Sequence, residues 1–263
     1  MKPLFIESPG VAAPGLAGWP QARAVLCGEQ PYAAEELSVY QPNLLPPNER
    51  RRATPAVRLA FRIAEEAVNA SSFAAADLAG VFATSEADTS ILHRICSALA
   101  EESRAVSPTD FHNSVHNAAA GYWSIAANAR LPSVTMAAYD ATFAAGLLEA
   151  FTLAHGENYR VLLAAYDLRP PEPLFQGRSL PVSAGVALIL TPQRSDRSIA
   201  SLVLSASAAD ESRFDDPVLE ALRLANPALR ALPLLQLLAL AQTGDVVLAG
   251  VEGQQWRAEM QSL

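Results

Sequence analysis

Two thiols, Cys27 and Cys96, and four imidazoles, His93, His112, His116 and His155, are the side chains best suited to nucleophilic or acid–base chemistry. His112 and His116 are spaced so that a continuous helix would present them on one face. No third ligand stands at a useful spacing and no HExxH occurs, so no metal is expected. A hydrogen bond from one imidazole to the backbone at a subunit contact is the simpler expectation. Cys96, in "ILHRICSALA", shares helical spacing with Leu92 and Leu99 and reads as a buried core cysteine; Cys27 reads the same way.

The most suggestive placement is "SVTMAAYDATFAAGLLEA", residues 133 to 150. It reads as a strand that turns sharply into a helix. Such a turn is a mounting point for a nucleophile, because a helix N-terminus lowers a thiol's pKa and can hold an oxyanion. Here the turn carries Tyr139, Asp140 and Thr142, and no cysteine. Asp140 reads as a helix N-cap. The absence of GxSxG and GxGxxG argues against an α/β-hydrolase and a dinucleotide-binding fold.

The surrounding elements must position this turn. "LFIES" reads as a strand, followed by a Gly/Pro-rich loop. "NERRRATPAVRLAFRIAEEAVNAS" reads as one amphipathic helix with Leu59, Ile63 and Ala67 on its apolar face. "AGVFATSE", "YRVLLAAYD", "AGVALILTP" and "IASLVLSASA" read as strands, the last two as a possible hairpin. "SILHRICSALAEES" and residues 113 to 127 read as helices. Residues 209 to 263 add a helix, an apolar segment and a last strand, "DVVLAGV". Apolar strands separated by helices predict an α/β layered fold, a mixed sheet with helices on both faces.

Composition narrows the partners. A 51% hydrophobic chain of 263 residues suits a single domain, 1 to 263, with a sizeable core. A net charge of -8 disfavours nucleic acid, which demands a basic footprint. Arg50, Arg51 and Arg52, followed by Arg58 and Arg62, form the one dense basic segment, a solvated helix start or a dock for an acidic protein. "MKPLFIESPG" has no apolar leader core, and no apolar run is long enough to span a bilayer. With few cysteines besides, the chain reads as cytoplasmic.

Taken in order, these pieces resemble the N-terminal half of a β-ketoacyl synthase of the thiolase fold. Asn117-Ala118-Ala119-Ala120-Gly121 is similar to the Asn-x-x-Ala-Gly stretch that opens a dimer-interface helix in that family. Leu131-Pro132-Ser133 matches the turn into the nucleophile strand, Val161 to Asp167 the return strand, and Ala184 to Leu188 the Gly-rich strand after it. The resemblance covers about residues 3 to 205. "FHNSVHNAAAGYWSIA" is closest in character to short, chain-length-factor-like proteins found beside aryl polyene and xanthomonadin-type pigment genes.

The resemblance implies half of a thiolase fold, with 209 to 263 an extension or a remnant of the other half. The family's cysteine falls at Tyr139 or Asp140, neither of which can carry a thioester. The histidines and lysine of the second half have no counterpart, since no histidine follows His155. It therefore implies a subunit without its own catalytic residues and without a cofactor. Such a subunit pairs with a full-length ketosynthase, meets acyl carrier protein through that complex, and helps to set acyl length. Phe111, His112, Val115, His116, Asn117 and Met136 are the expected partner contacts. Tyr139, Asp140, Thr142 and Phe143 are expected to line the acyl tunnel. A stand-alone acyltransferase or thioesterase using His116 or Cys96, and a carrier-protein-binding module built on Arg50 to Arg52, are the alternatives.

Overall fold

The computed structural model describes residues 2–263. Its strands are β1 (Leu4–Ala12), β2 (Ala79–Ala83), β3 (Ser133–Met136), β4 (Val161–Asp167), β5 (Ala184–Thr191), β6 (Ala200–Ser207), β7 (Gly244–Ala249) and β8 (Gln255–Ser262). They form one sheet in the order β3-β2-β4-β5-β1-β6-β8-β7. β3, β2 and β4 are parallel, and every other pairing is antiparallel. β2, β4 and β5 are apolar runs without alternation because both faces of the sheet are covered.

The helices are α1 (Trp19–Leu26), α2 (Pro47–Arg52), α3 (Pro55–Ala70), α4 (Thr89–Ala100), α5 (Pro108–Asn113), α6 (Ala118–Ala126), α7 (Thr142–Gly156), α8 (Leu174–Gly177), α9 (Pro217–Leu224) and α10 (Leu232–Ala239). α3 and α6 cover one face, burying Phe61, Ile63 and Trp123 against Phe82, Leu162 and Ile189. α7, α1 and α10 cover the other, where Phe143, Leu147 and Phe151 meet Val81, Leu163 and Leu235.

Several sequence expectations need correction. The arginine-rich segment and the helix after it are two helices. Proline lacks an N–H and disfavours helix at the preceding residue. Thr54, held extended by Pro55, accepts from Val57 N (3.3 Å) and starts α3 afresh. Residues 113 to 127 are likewise not one helix: α5 ends at Asn113 and α6 begins at Ala118, so His112 and His116 share no helical face. β1 runs on through "PGVA", with Pro9 beside a bulge between Ile6 and Ser8 that relieves its missing donor. Gly10 within it lets α3 lie close, since a Cβ there would stand 2.1 Å from Ile63 O. β5 and β6 are no hairpin, because β1 lies between them.

The tail is part of the same core. The turn Pro227–Ala231 and α10 roof α7 with Leu229, Leu232 and Leu235. β8 then pairs with β6 along its length, and β7 closes that edge.

On α3, two adjacent glutamates fasten irregular chain. The Glu65 carboxylate, 2% exposed, accepts from Tyr40 Oη (2.5 Å), Asn43 N (3.0 Å) and Leu44 N (3.0 Å). Glu66 accepts from Val11 N (2.8 Å) and Trp19 N (2.5 Å).

Candidate functional site: a nucleophile elbow closed by an arginine

β3 is an edge strand, held through β2, and delivers the chain to Ala138. Tyr139 then adopts φ 52°, a left-handed conformation that costs a non-glycine residue on the order of 1–3 kcal/mol. The elbow geometry is therefore present with a phenol in it. Thr142 braces it: its hydroxyl donates to Tyr139 O (2.6 Å) and accepts from Ala138 N (3.1 Å).

In the single chain neither Thr142 nor Phe143 reaches the surface. Thr142 is 1% exposed and committed to this brace, and Phe143 is fully buried in the core under the sheet. Asp140 is not an N-cap, since α7 is preceded by Ala141 without a side-chain cap. Its carboxylate turns to Arg178 Nη1 (2.8 Å) instead.

Arg178 was not singled out by the sequence. It lies just after α8 in a proline-rich loop, and nothing local marks it. Its guanidinium stacks 3.7 Å from the Tyr139 ring centroid. Nε donates to Glu86 Oε1 (2.9 Å). Burial works against its charge, but the Asp140 bond, with Tyr139 and Glu86, outweighs burial and holds it firmly cationic. The network continues into the tail. Arg230 reaches Asp140 (3.9 Å) and Glu211 (3.4 Å), and buried Arg223 pairs with Glu211 (3.0 Å) and Glu220 (2.6 Å). The Arg223 hydrogen bond pulls Glu220 down to about 2. An arginine and its carboxylates thus close over the elbow.

The second structural unit of the site is the turn after β2. Asp167, 1% exposed, accepts from Thr84 Oγ1 (2.9 Å), Ser85 N (2.8 Å) and Glu86 N (3.2 Å), while its Oδ2 has no partner. Burial pushes this carboxyl up to about 7, against the pull of those donors. His116 Nε2 donates to Thr84 O (3.0 Å), so the nearest imidazole is tied to the backbone of the same turn. Asp88 caps α4 through Ser90 N (3.1 Å) and Ile91 N (3.2 Å).

From this turn springs an arm, α4 and α5, joined by the Arg94–Asp110 pair (2.7 Å). Of α4 only Thr89 and Ile91 are buried. Leu92 and Leu99 are each 51% exposed and Cys96 is exposed between them, which corrects the reading of Cys96 as a core residue. Cys27 is half-buried, with Sγ donating to Ala239 O (3.1 Å). Phe111 (70%), Val115 (51%) and Ile125 (69%) extend the same apolar exposure onto α5 and α6. The sequence missed Leu92, Leu99 and Ile125, because apolar residues at helical spacing normally mark a buried face. Asn117 precedes α6 and makes no side-chain cap; Met136, at the end of β3, is partly buried against the core. Among the described residues, no cluster of His, Cys, Asp and Glu suits a metal ion, and no helix is long and apolar enough to cross a membrane.

A mixed eight-stranded sheet with a sharp strand-to-helix elbow at one edge defines a thiolase-like fold. The chain belongs to the β-ketoacyl synthase N-terminal domain family, whose profile matches residues 19–224. No curated protein matches it. Among solved structures it is similar to a chain of a ketosynthase (ApeO) in complex with its chain length factor (ApeC) from Xenorhabdus doucetiae. The identity is 24%, with 97% of this chain and 98% of that one covered, at a TM-score of 0.73. It is also similar to the ishigamide ketosynthase/chain length factor (12% identity, 99% of each chain, TM-score 0.75). A third likeness is to AntDE:AntF, a type II acyl-carrier protein in complex with its ketosynthase (12% identity, 100% and 99% covered, TM-score 0.79). These likenesses run almost end to end and so include the tail.

Proposed function

We propose that this chain is a non-catalytic, chain-length-factor-like subunit. It pairs with a full-length ketosynthase in a type II polyketide or fatty-acid system of the aryl polyene kind, in the cytoplasm. The observation that carries this reading is the elbow. Its tip, Tyr139, has left-handed backbone and no thiol, and the Arg178 guanidinium stacks on its ring. Beside it lie the unpaired edge β3 and the apolar arm, a combination that pairing with another chain would cover. Phe111, His112, Val115, His116, Asn117 and Met136 remain the proposed contact, joined by Leu92, Leu99 and Ile125. Tyr139 and Asp140 then face the partner as a polar wall near the growing chain.

The test is co-expression with ketosynthase subunits of the source genome, followed by light scattering. A one-to-one complex supports the reading; a monodisperse monomer indifferent to every ketosynthase refutes it.

A second reading, a docking face for acyl carrier protein, has one specific support. Arg58 and Arg62 border a cavity of about 420 Å³ with Leu37, Tyr40 and Leu59. Their guanidinium groups donate to backbone carbonyls, which leaves their charge available to an acidic surface. The two readings are compatible, since a carrier protein would meet the complex. An acyltransferase or thioesterase reading has less support, with His116 bonded to Thr84 O and Cys96 out on the arm.

A further inference from the structure

From Cys27 to Pro46 the chain passes over α3 without forming a helix or a strand. Irregular segments of this length in a compact domain are mostly lids or binding loops. This one is pinned, by Glu65 at Tyr40, Asn43 and Leu44 and by Arg62 at Ser38 O (2.9 Å). It does not lie flat. Between residues 37 to 40, α3 and the carboxyl end of β4 it spans a cavity of about 420 Å³, within the usual size of small-molecule sites.

The lining is amphiphilic. Tyr40, Leu59 and Leu168 give it apolar walls, and Val39 stands at its edge, 79% exposed. Among the described residues no acidic side chain lines it, whereas Arg58 and Arg62, one helical turn apart on α3, both do. Arg58 spends Nε on Ala53 O (3.0 Å) and Nη2 on Arg50 O (3.4 Å). Arg62 spends Nη1 on Ser38 O and Nη2 on Ala17 O (3.0 Å). Carbonyls thus fix both groups in place without neutralising them. Arg58 Nη1 and Arg62 Nε have no acceptor among the described residues. The neighbouring glutamates of α3 are already committed, Glu65 to the irregular segment and Glu66 to Val11 N and Trp19 N.

We propose that this cavity binds an aliphatic monocarboxylate, its head on Arg58 and Arg62 and its chain along Tyr40, Leu59 and Leu168. Two unspent donors, one on each arginine, suit the two oxygens of one carboxylate; the several oxygens of a phosphate would outnumber them. Two cations without a carboxylate partner, held at an apolar cavity in a chain of net charge -8, are complemented by an anion that carries an apolar body. The site is separate from the elbow and from the arm, so it does not depend on the ketosynthase pairing. It shares Arg58 and Arg62 with the carrier-protein reading, and commits the cavity itself to a small ligand that this chain holds alone.

The test uses the whole purified chain and octanoate, with octan-1-ol as the same body without the charge. Titration calorimetry should show saturable one-to-one binding of octanoate, about tenfold or more tighter than octan-1-ol and weaker at high salt. Val39→Glu and Val39→Lys place opposite charges on the exposed rim without touching the core, so both should melt like wild type. Val39→Glu should weaken octanoate severalfold while Val39→Lys does not, and neither should much alter octan-1-ol. A merely apolar groove would respond alike to both. Octanoate that fails to bind, or binds no better than the alcohol, overturns the proposal, as does an equal response to the two substitutions. An acidic carrier protein that binds here while octanoate does not would make the surface a protein dock only, and overturn it too. Octanoate binding by a chain that meets no ketosynthase would leave this site standing and refute the pairing.

Discussion

Asp167 gives the most searching test of the site's electrostatics. Its carboxyl titrates at about 7 in the fold, against an ordinary 3.8, because burial opposes its charge more than three donors favour it. The folded chain therefore holds this proton more tightly than the unfolded chain. The sign follows: the group's contribution to stability falls as pH rises from about 4 to about 7 and is level above that. At about 1.4 kcal/mol per unit, the cost of ionising it accumulates to roughly 4 kcal/mol, of which about 2–3 kcal/mol builds up between pH 5 and 8. Asp167→Asn removes the titration. It keeps one oxygen for Thr84 Oγ1, Ser85 N and Glu86 N, and puts an NH₂ where Oδ2 has no partner. Urea unfolding of both proteins across this range supplies the difference curve, in which other titrating groups cancel. The asparagine variant should be the less stable near pH 5 and gain on wild type by about 2–3 kcal/mol on reaching pH 8. Parallel curves would refute the buried, proton-holding carboxyl. Because the turn it holds launches the arm, partner affinity should drift with pH in wild type and less so in the variant.

Other perturbations separate core, clamp and contact surface. Phe143→Ala should cost about 3–5 kcal/mol in chemical unfolding, as for a fully buried ring. Arg178→Ala strands the Asp140 and Glu86 carboxylates. It should lower stability by about 1.5–3 kcal/mol, a loss that shrinks in high salt, read from melting curves at two ionic strengths. Leu99→Asp should leave the free chain within about 0.5 kcal/mol of wild type while sharply reducing ketosynthase capture in a pull-down.

The parts of the fold legible in the sequence were those with a strong period or an unbroken apolar run. α3 announces itself through Leu59, Ile63 and Ala67, and β2, β4 and β5 through buried runs. β8 was missed although Trp256, Ala258 and Met260 alternate, because its even mixture of polar and apolar residues carries little hydrophobic signal. The elbow was legible from the passage of strand into helix, and the missing cysteine from its residues. What stood out of reach was Arg178, whose partners Glu86 and Asp140 are remote along the chain. The arm reversed the usual inference: Leu92, Cys96 and Leu99 have the pattern of a buried face and stand in the open. A sequence records which side of a helix must be covered, and not whether its own chain does the covering.

The position of β1 has a consequence for how the molecule is made. It lies near the middle of the sheet, yet it leaves the ribosome before every other strand described, and its neighbours β5 and β6 begin at Ala184 and Ala200. At ordinary elongation rates, β1 waits on the order of ten to thirty seconds for a strand to pair with. For that interval Leu4, Ile6 and Val11, which end fully buried, have no sheet to enter. The roof of α7, contributed by residues 227 to 239, comes later still. Assembly of this fold is therefore late and long-range, and a nascent chain passes through its most adhesive stage before the sheet can shield it.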